Sequence, residues 1–382
     1  MDKPALPTPP PRERMPPHVQ RYRDWLDMVP GAPLYRTEFG YYCLDRWKEQ
    51  GLPDQPDFQK LFHYDPPAHV SLGHLGWTEA EFVPRFEDKV LEDRGDHELV
   101  QDSAGRGVLF FKGRRNGFMP EYVTHPVRDR RTWEEDVKGR LDPSTPARYA
   151  DIPRLAREYW LPGVREGQVV IQGVSGGYMY LRSLIGPADL CLAVYDMPDV
   201  VHACMEAWLD LALAWTARAQ EHVAIDVLFF GEDICYNHGP LISPAMMNEF
   251  LFPYYRALRD AIAARQPGRR LRISLDTDGF GDPVVDIYRR ELGLDVMSPW
   301  EAASDCDVVR AGRRWPWLAM YGGIDKRVLA RGRGAIDRMV ERILPAMRER
   351  GGYYPTCDHG VPEEVPLADY HHYRQRCLEL GG

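Results

Sequence analysis

The chain has 382 residues, 44% of them hydrophobic and 27% charged, with a formal net charge of −9. That length allows two ordinary domains or one large α/β barrel, and the composition is that of a globular chain with a sizeable core. The acid excess and the lack of any long Lys/Arg stripe, RDRR at 128–131 being short, argue against nucleic-acid binding, and no run of eighteen apolar residues is present to span a membrane.

Residues 1–17, MDKPALPTPPPRERMPP, lack an apolar signal core and read as a disordered Pro-rich arm. Residues 18–382 read as a single domain, irregular over 18–150 and regular over 151–382. Within the irregular part, APLYRTEFG (32–40) reads as an opening strand. HELVQDSAGRGVLFFKG (97–113) reads as a hairpin insertion turning at SAGRG. Beyond 151 the buried strand QVVIQGVSGG is followed by the long helix DMPDVVHACMEAWLDLALAWTARAQ and the strand AIDVLFFGED. The helix SPAMMNEFLFPYYRALRDAIAARQPG comes next, with Ser243 as N-cap and Pro244 at its first position. Met247, Phe250, Leu251, Tyr254 and Leu258 mark its buried face. The strand LRISLD, the helix DPVVDIYRRELG capped by Asp282, and the strands LDVMSPWE and WLAMYGGID continue the rhythm. The helix IDRMVERILPAMRERGG and the strand end GYYPTCDHG complete it.

Strand alternating with helix implies parallel strands with right-handed crossovers. A closed (β/α)8 TIM barrel is the expected fold. An open doubly wound sheet is the alternative, disfavoured because no GxGxxG follows a first strand. The seven cysteines are odd in number, scattered and free of CxxC, the pattern of reduced thiols in a cytoplasmic protein.

The polar residues gather where strands end: Gly176–Gly177–Tyr178, Glu232–Asp233, Asp276–Thr277–Asp278, Glu301, Gly323–Ile324–Asp325 and Cys357–Asp358–His359. In a barrel these ends meet on one rim, where active sites lie. Asp276, Asp278, Glu232 and His359 are the expected catalytic groups. Tyr178, Tyr180, Glu301, Asp325 and Gly323 are expected to shape the pocket.

DICYNHGPLISPAMMNEFLFPYYRALRDAI, SLDTDG, YGGIDKRVLARG and GGYYPTCDHGVPEEVP, in that order, resemble the motif series of the uroporphyrinogen decarboxylase superfamily. The resemblance implies a (β/α)8 barrel enzyme acting on a small molecule. One branch decarboxylates uroporphyrinogen III in porphyrin and heme biosynthesis without a cofactor and places arginines near the first strand. Here Arg36 stands for one of them, in LYRTEFGYY, beside an added Glu38. The other branch moves methyl groups between corrinoid (cobalamin) proteins and a thiol or tetrahydrofolate, and its thiol-using members hold zinc through H-x-C and a later Cys. Asp276 and Asp278 fall at the H-x-C positions. The implied metal set is Asp276, Asp278, Cys357, His359 and Glu232, a harder set than thiolates provide. The expected function is therefore methyl transfer with a corrinoid partner, the protein being a monomer or homodimer. Decarboxylation, or non-catalytic corrinoid or tetrapyrrole binding, are the alternatives.

Overall fold

The computed structural model describes residues 6–77, 81–113 and 121–382. Seven parallel strands form the central sheet: β1 (His69–Leu75), β6 (Val169–Ser175), β7 (Val227–Gly231), β10 (Arg272–Asp276), β11 (Leu294–Ser298), β12 (Ala319–Tyr321) and β13 (Tyr353–Tyr354), paired in that order. Four more strands make the insertion, an antiparallel sheet of β2 (Lys89–Arg94), β3 (His97–Gln101), β4 (Gly107–Phe111) and β5 (Glu121–Thr124). The expected hairpin is its β3–β4 pair. A two-stranded ribbon, β8 (Cys235–Tyr236) with β9 (Gly239–Pro240), stands above the rim.

The eighth place is taken by residues 34–41, which have no regular strand pairing but bridge the two edges of the sheet. Arg36 C=O accepts from Asp65 N–H just before β1, and Tyr41 pairs in parallel with Val361 just after β13. Tyr22 stacks on His69 of β1 at 5.7 Å and lies 6.3 Å from Tyr354 of β13, so one ring touches both edges. These contacts link the two edges of the parallel sheet without regular strand pairing between them, an α/β arrangement of the expected TIM-barrel type.

Two apolar clusters hold it. The large one lies between sheet and helices and contains Leu228, Phe230, Leu275, Val285 and Met320. The small one fills the lower barrel, where Val169, Val227, Val296 and Ala319 meet Tyr22 and Trp25 of the plugging helix Pro17–Leu26. From Leu6 onward the expected disordered arm is instead held against the barrel. Arg269 donates to the Leu6 and Pro7 carbonyls, and Arg12 pairs with buried Asp24. Residues 1–5 lie outside the described residues.

The long helix expected over 243–268 is two helices, Pro244–Phe250 and Phe252–Arg265. Pro253 has no N–H and its ring opposes the carbonyl four residues back, so the backbone breaks at Leu251. Ser243 does cap the first, accepting from Met246 N–H at 3.2 Å. Asp282 caps nothing: it is buried as the first residue of the helix Asp282–Leu292, with one carboxylate oxygen unpartnered.

Candidate active site

Register decides which rim residues face inward. Asp276 ends β10 opposite Gly231 of β7 and Ser298 of β11, so all three point into the barrel mouth. The Ser298 hydroxyl donates to the Asp276 carboxylate. Asp276 is half-buried, and burial pushes its carboxyl up to about 6, with neighbouring Asp278 adding to the rise and Ser298 opposing it. Tyr321 lies beside Asp276, and burial together with that carboxylate raises its hydroxyl.

One turn further out, Asp278, Glu301 and His359 converge. His359 Nε2 lies 3.4 Å from Asp278 Oδ2 and Nδ1 lies 3.6 Å from Glu301 Oε1. One potential ligand atom from each of the three falls within 4.8 Å of the others. The second Glu301 oxygen is fixed by Gly279 N–H at 2.7 Å. Gly279 has φ +77°, and a Cβ there would overlap the backbone of Tyr236, so only glycine lets this turn present Asp278 beneath the β8–β9 ribbon. The hydrogen bond to Asp278 raises the His359 imidazolium to about 9 against the opposing effect of burial. Phe39 covers its ring at 5.1 Å.

The other cations described at this rim are already paired. Arg182 meets Asp233 at 2.6 Å, and Lys326 meets buried Asp358 at 3.1 Å.

Several residues expected at the mouth lie elsewhere. Glu232 follows inward-facing Gly231 and so points outward, fully buried behind the rim. It accepts from Tyr178 N–H at 2.9 Å and the Tyr255 hydroxyl at 2.7 Å, holding the N-terminus of the helix Gly177–Ile185. A Cβ on Gly176 would overlap its carboxylate. Tyr178 and Tyr180 are buried in the outer core of that helix. Cys357 is also in the outer core, its thiol raised well above the ordinary value by burial and then by Glu38. Arg36 turns outward: its backbone N–H donates to Asp65 and its guanidinium to the Gly382 carbonyl. Asp325 caps the helix Lys326–Leu329 and pairs with Arg327 at 2.9 Å. Gly323 is a turn residue with φ +71° packed on Val308.

The sequence reading missed Ser298, Tyr321, Lys326 and His74. Tyr321 directly precedes Gly322–Gly323 and Lys326 follows Asp325, while Ser298 and His74 stand in none of the strand ends expected to form the site. Parity along β11 and β12 is the signal that reveals Ser298 and Tyr321.

The cluster can therefore do two things: exchange protons at Asp276, or hold a divalent cation at Asp278, Glu301 and His359. Two carboxylates and an imidazole fit an oxygen-preferring or borderline cation. With Cys357 turned away, a thiolate set is not formed among the described residues.

The family described as Uroporphyrinogen decarboxylase (URO-D) matches residues 122–379. The uroporphyrinogen decarboxylase of Pseudomonas aeruginosa strain LESB58 is 28% identical over 178 residues, 46% of this chain and 47% of that one. The chain thus spans about half the length of the curated relatives it first matches. The Sodalis glossinidius uroporphyrinogen decarboxylase is 26% identical over 293 residues, covering 72% of this chain and 74% of the relative. A solved structure titled methyltransferase from Methanosarcina mazei superposes with TM-score 0.57 at 12% identity, over 96% of this chain and 99% of that one, which is a likeness of fold. No described helix is long and apolar enough to cross a membrane.

Proposed function

The chain belongs to the uroporphyrinogen decarboxylase family, and from that premise we propose that it transfers a methyl group between a corrinoid protein and a small acceptor of the thiol or tetrahydrofolate class. The observation that carries this reading is the charge pattern of the mouth. Asp276, Asp278 and Glu301 face one another around a single histidine, while Arg182 and Lys326 are paired with Asp233 and Asp358. A substrate with eight carboxylates needs unpaired cations there, and Arg36 is turned away to Asp65 and Gly382.

In this reading Asp276 takes the acceptor's proton as the methyl group arrives, because a carboxyl near 6 exchanges protons close to neutral pH. Ser298 orients it. His359, held by Asp278 and shielded by Phe39, fixes the acceptor against the rim. A divalent cation bound by Asp278, Glu301 and His359 would supply Lewis-acid charge to lower the acceptor's pKa.

The test is incubation of the purified chain with methylcobalamin and either a thiol or tetrahydrofolate, with and without zinc or manganese. The expected result is loss of the methylcobalamin spectrum with stoichiometric methylated acceptor. Coproporphyrinogen formed from uroporphyrinogen without any methyl transfer overturns the reading. So does a stable visible-absorbing corrinoid complex that never turns over.

A further inference from the structure

Strand β1 is exposed on the side that should be buried. Its outward residues Val70, Leu72 and Leu75 are buried, while His69, Ser71 and Gly73, which face the barrel axis, are accessible to solvent. A (β/α)8 barrel normally fills this space with layers of branched side chains. Here Ser71, Gly73, Gly173 and Ser274 occupy it, and a chamber of about 250 Å³ remains.

A bulge between Ser71 and His74 reverses the parity of β1 and turns the His74 ring inward opposite Gly173. A Cβ on Gly173 would lie 2.7 Å from His74 Nδ1, so that glycine makes room for the ring. Ser175 lies 3.3 Å from His74 Nε2, and burial brings the imidazole down to about 4, leaving it neutral.

Tyr22, Trp25, His69, Phe229, Tyr321 and Tyr354 line much of the chamber, with aliphatic side chains between them. Its polar groups, Ser71, Ser274 and the two histidines, sit among these rings. Its upper side lies toward the mouth: Ser274 is two residues before Asp276 on the same face of β10, and Tyr321, which also lines the chamber, feels the charge of that carboxylate.

An apolar cavity of about 150 Å³ takes a six-atom ring, so this volume scales to about ten non-hydrogen atoms. A tetrapyrrole is several times too large. Aromatic walls select a planar ring by stacking and edge contacts.

We propose that the chamber binds one uncharged aromatic or heteroaromatic ring, with a polar substituent directed up at Asp276. The proposal concerns ring binding and holds whichever acceptor takes the methyl group.

The test is calorimetric titration of the full chain with phenol, guaiacol and cytosine, with cyclohexanol as the non-planar control of similar size. At least one aromatic ring should bind roughly tenfold tighter than cyclohexanol, the factor that corresponds to about 1.4 kcal/mol of ring contact. Ser71→Leu and Ser274→Leu each project a side chain into the chamber, and each should weaken that ring by at least about tenfold. Melting curves of both variants are recorded first, and the variant that melts cooperatively supplies the comparison. Aromatic rings that bind no better than cyclohexanol overturn the proposal, as does a folded, chamber-filled variant that binds like the parent. No corrinoid or methyl donor is present in this experiment. Failure of methyl transfer to a thiol or tetrahydrofolate in the separate methylcobalamin assay therefore sinks the methyl-transfer reading and leaves ring binding standing. Methyl transfer by a chain that binds no ring sinks the chamber alone.

Discussion

Replacing Glu232 by Gln tests whether this acid supports the rim or works in the mouth. Burial lifts its carboxyl from 4.5 to about 7 in the folded chain. Between those values the folded chain keeps a proton that the unfolded chain has released. Stability from this group is therefore fully present below about 4.5, falls as pH rises, and is gone above about 7. A gap of about two and a half units corresponds to about 3 kcal/mol, at roughly 1.36 kcal/mol per unit. Gln mimics the protonated acid: its carbonyl accepts from Tyr178 N–H and its amide faces the Tyr255 hydroxyl. Glu232→Gln should therefore match the parent near pH 4.5 and exceed it by up to about 3 kcal/mol near pH 8.5. Paired urea denaturation curves at the two pH values read the difference. Turnover should stay within a few-fold of the parent. A stability gap that does not change with pH refutes the burial argument. A large loss of turnover at unchanged stability places Glu232 in the chemistry after all.

Asp278→Asn, in chelator-treated protein, should bring His359 down from about 9 toward 6.5, by roughly one to two units because the partner is part-exposed, as read by imidazole NMR titration. The parent's stabilisation from this pair is complete below 6.5 and lost as pH rises through about 9, and the variant should lack that dependence. Ser298→Ala removes a hydrogen bond to ionised Asp276 and should move its carboxyl further above 6, seen as an upward shift in the acidic limb of the pH–rate profile. In manganese and zinc titrations, Glu301→Gln should weaken binding by at least about tenfold, whereas Cys357→Ala should leave affinity unchanged. Equal losses in both variants would mean that the thiol reaches the mouth.

The barrel was legible because its evidence is local and repeated. Each strand reads as an apolar run, each helix as a periodic one, and their alternation leaves few topologies. What escaped the sequence depends on contacts between distant segments. Residues 32–40 read as a strand, and residues 34–41 do occupy a strand's place, but through isolated bonds to Asp65 and Val361. The Pro-rich arm has the composition of a disordered segment, yet Arg269 and Asp24, far along the chain or across a turn, hold it down. Pro253 was visible in the sequence, and the break it imposes at Leu251 follows from its missing donor.

For the site, the sequence located the rim but left parity open. A half-exposed strand alternates polar and apolar residues and so declares its inner face. A barrel strand is apolar on both faces, and AIDVLFFGED does not say whether Glu232 or Asp233 looks inward. Pairing settles it: Asp276 opposite Gly231 sends Glu232 into the outer core. The same step separates Cys357 from His359, two positions apart, because the chain leaves regular strand geometry after β13 and His359 turns to Asp278. Parity also explains why His74 was missed. In a regular strand that kept Ser71 inward, position 74 would face the helices, and only the bulge swings it inside. The residues most informative about ligand chemistry are thus those whose direction is set by one irregular residue in a strand. Strand ends rich in Asp or Glu are a guide to the rim's location, and the inward-facing serines and glycines of β1, β6 and β10 are the better guide to what enters it.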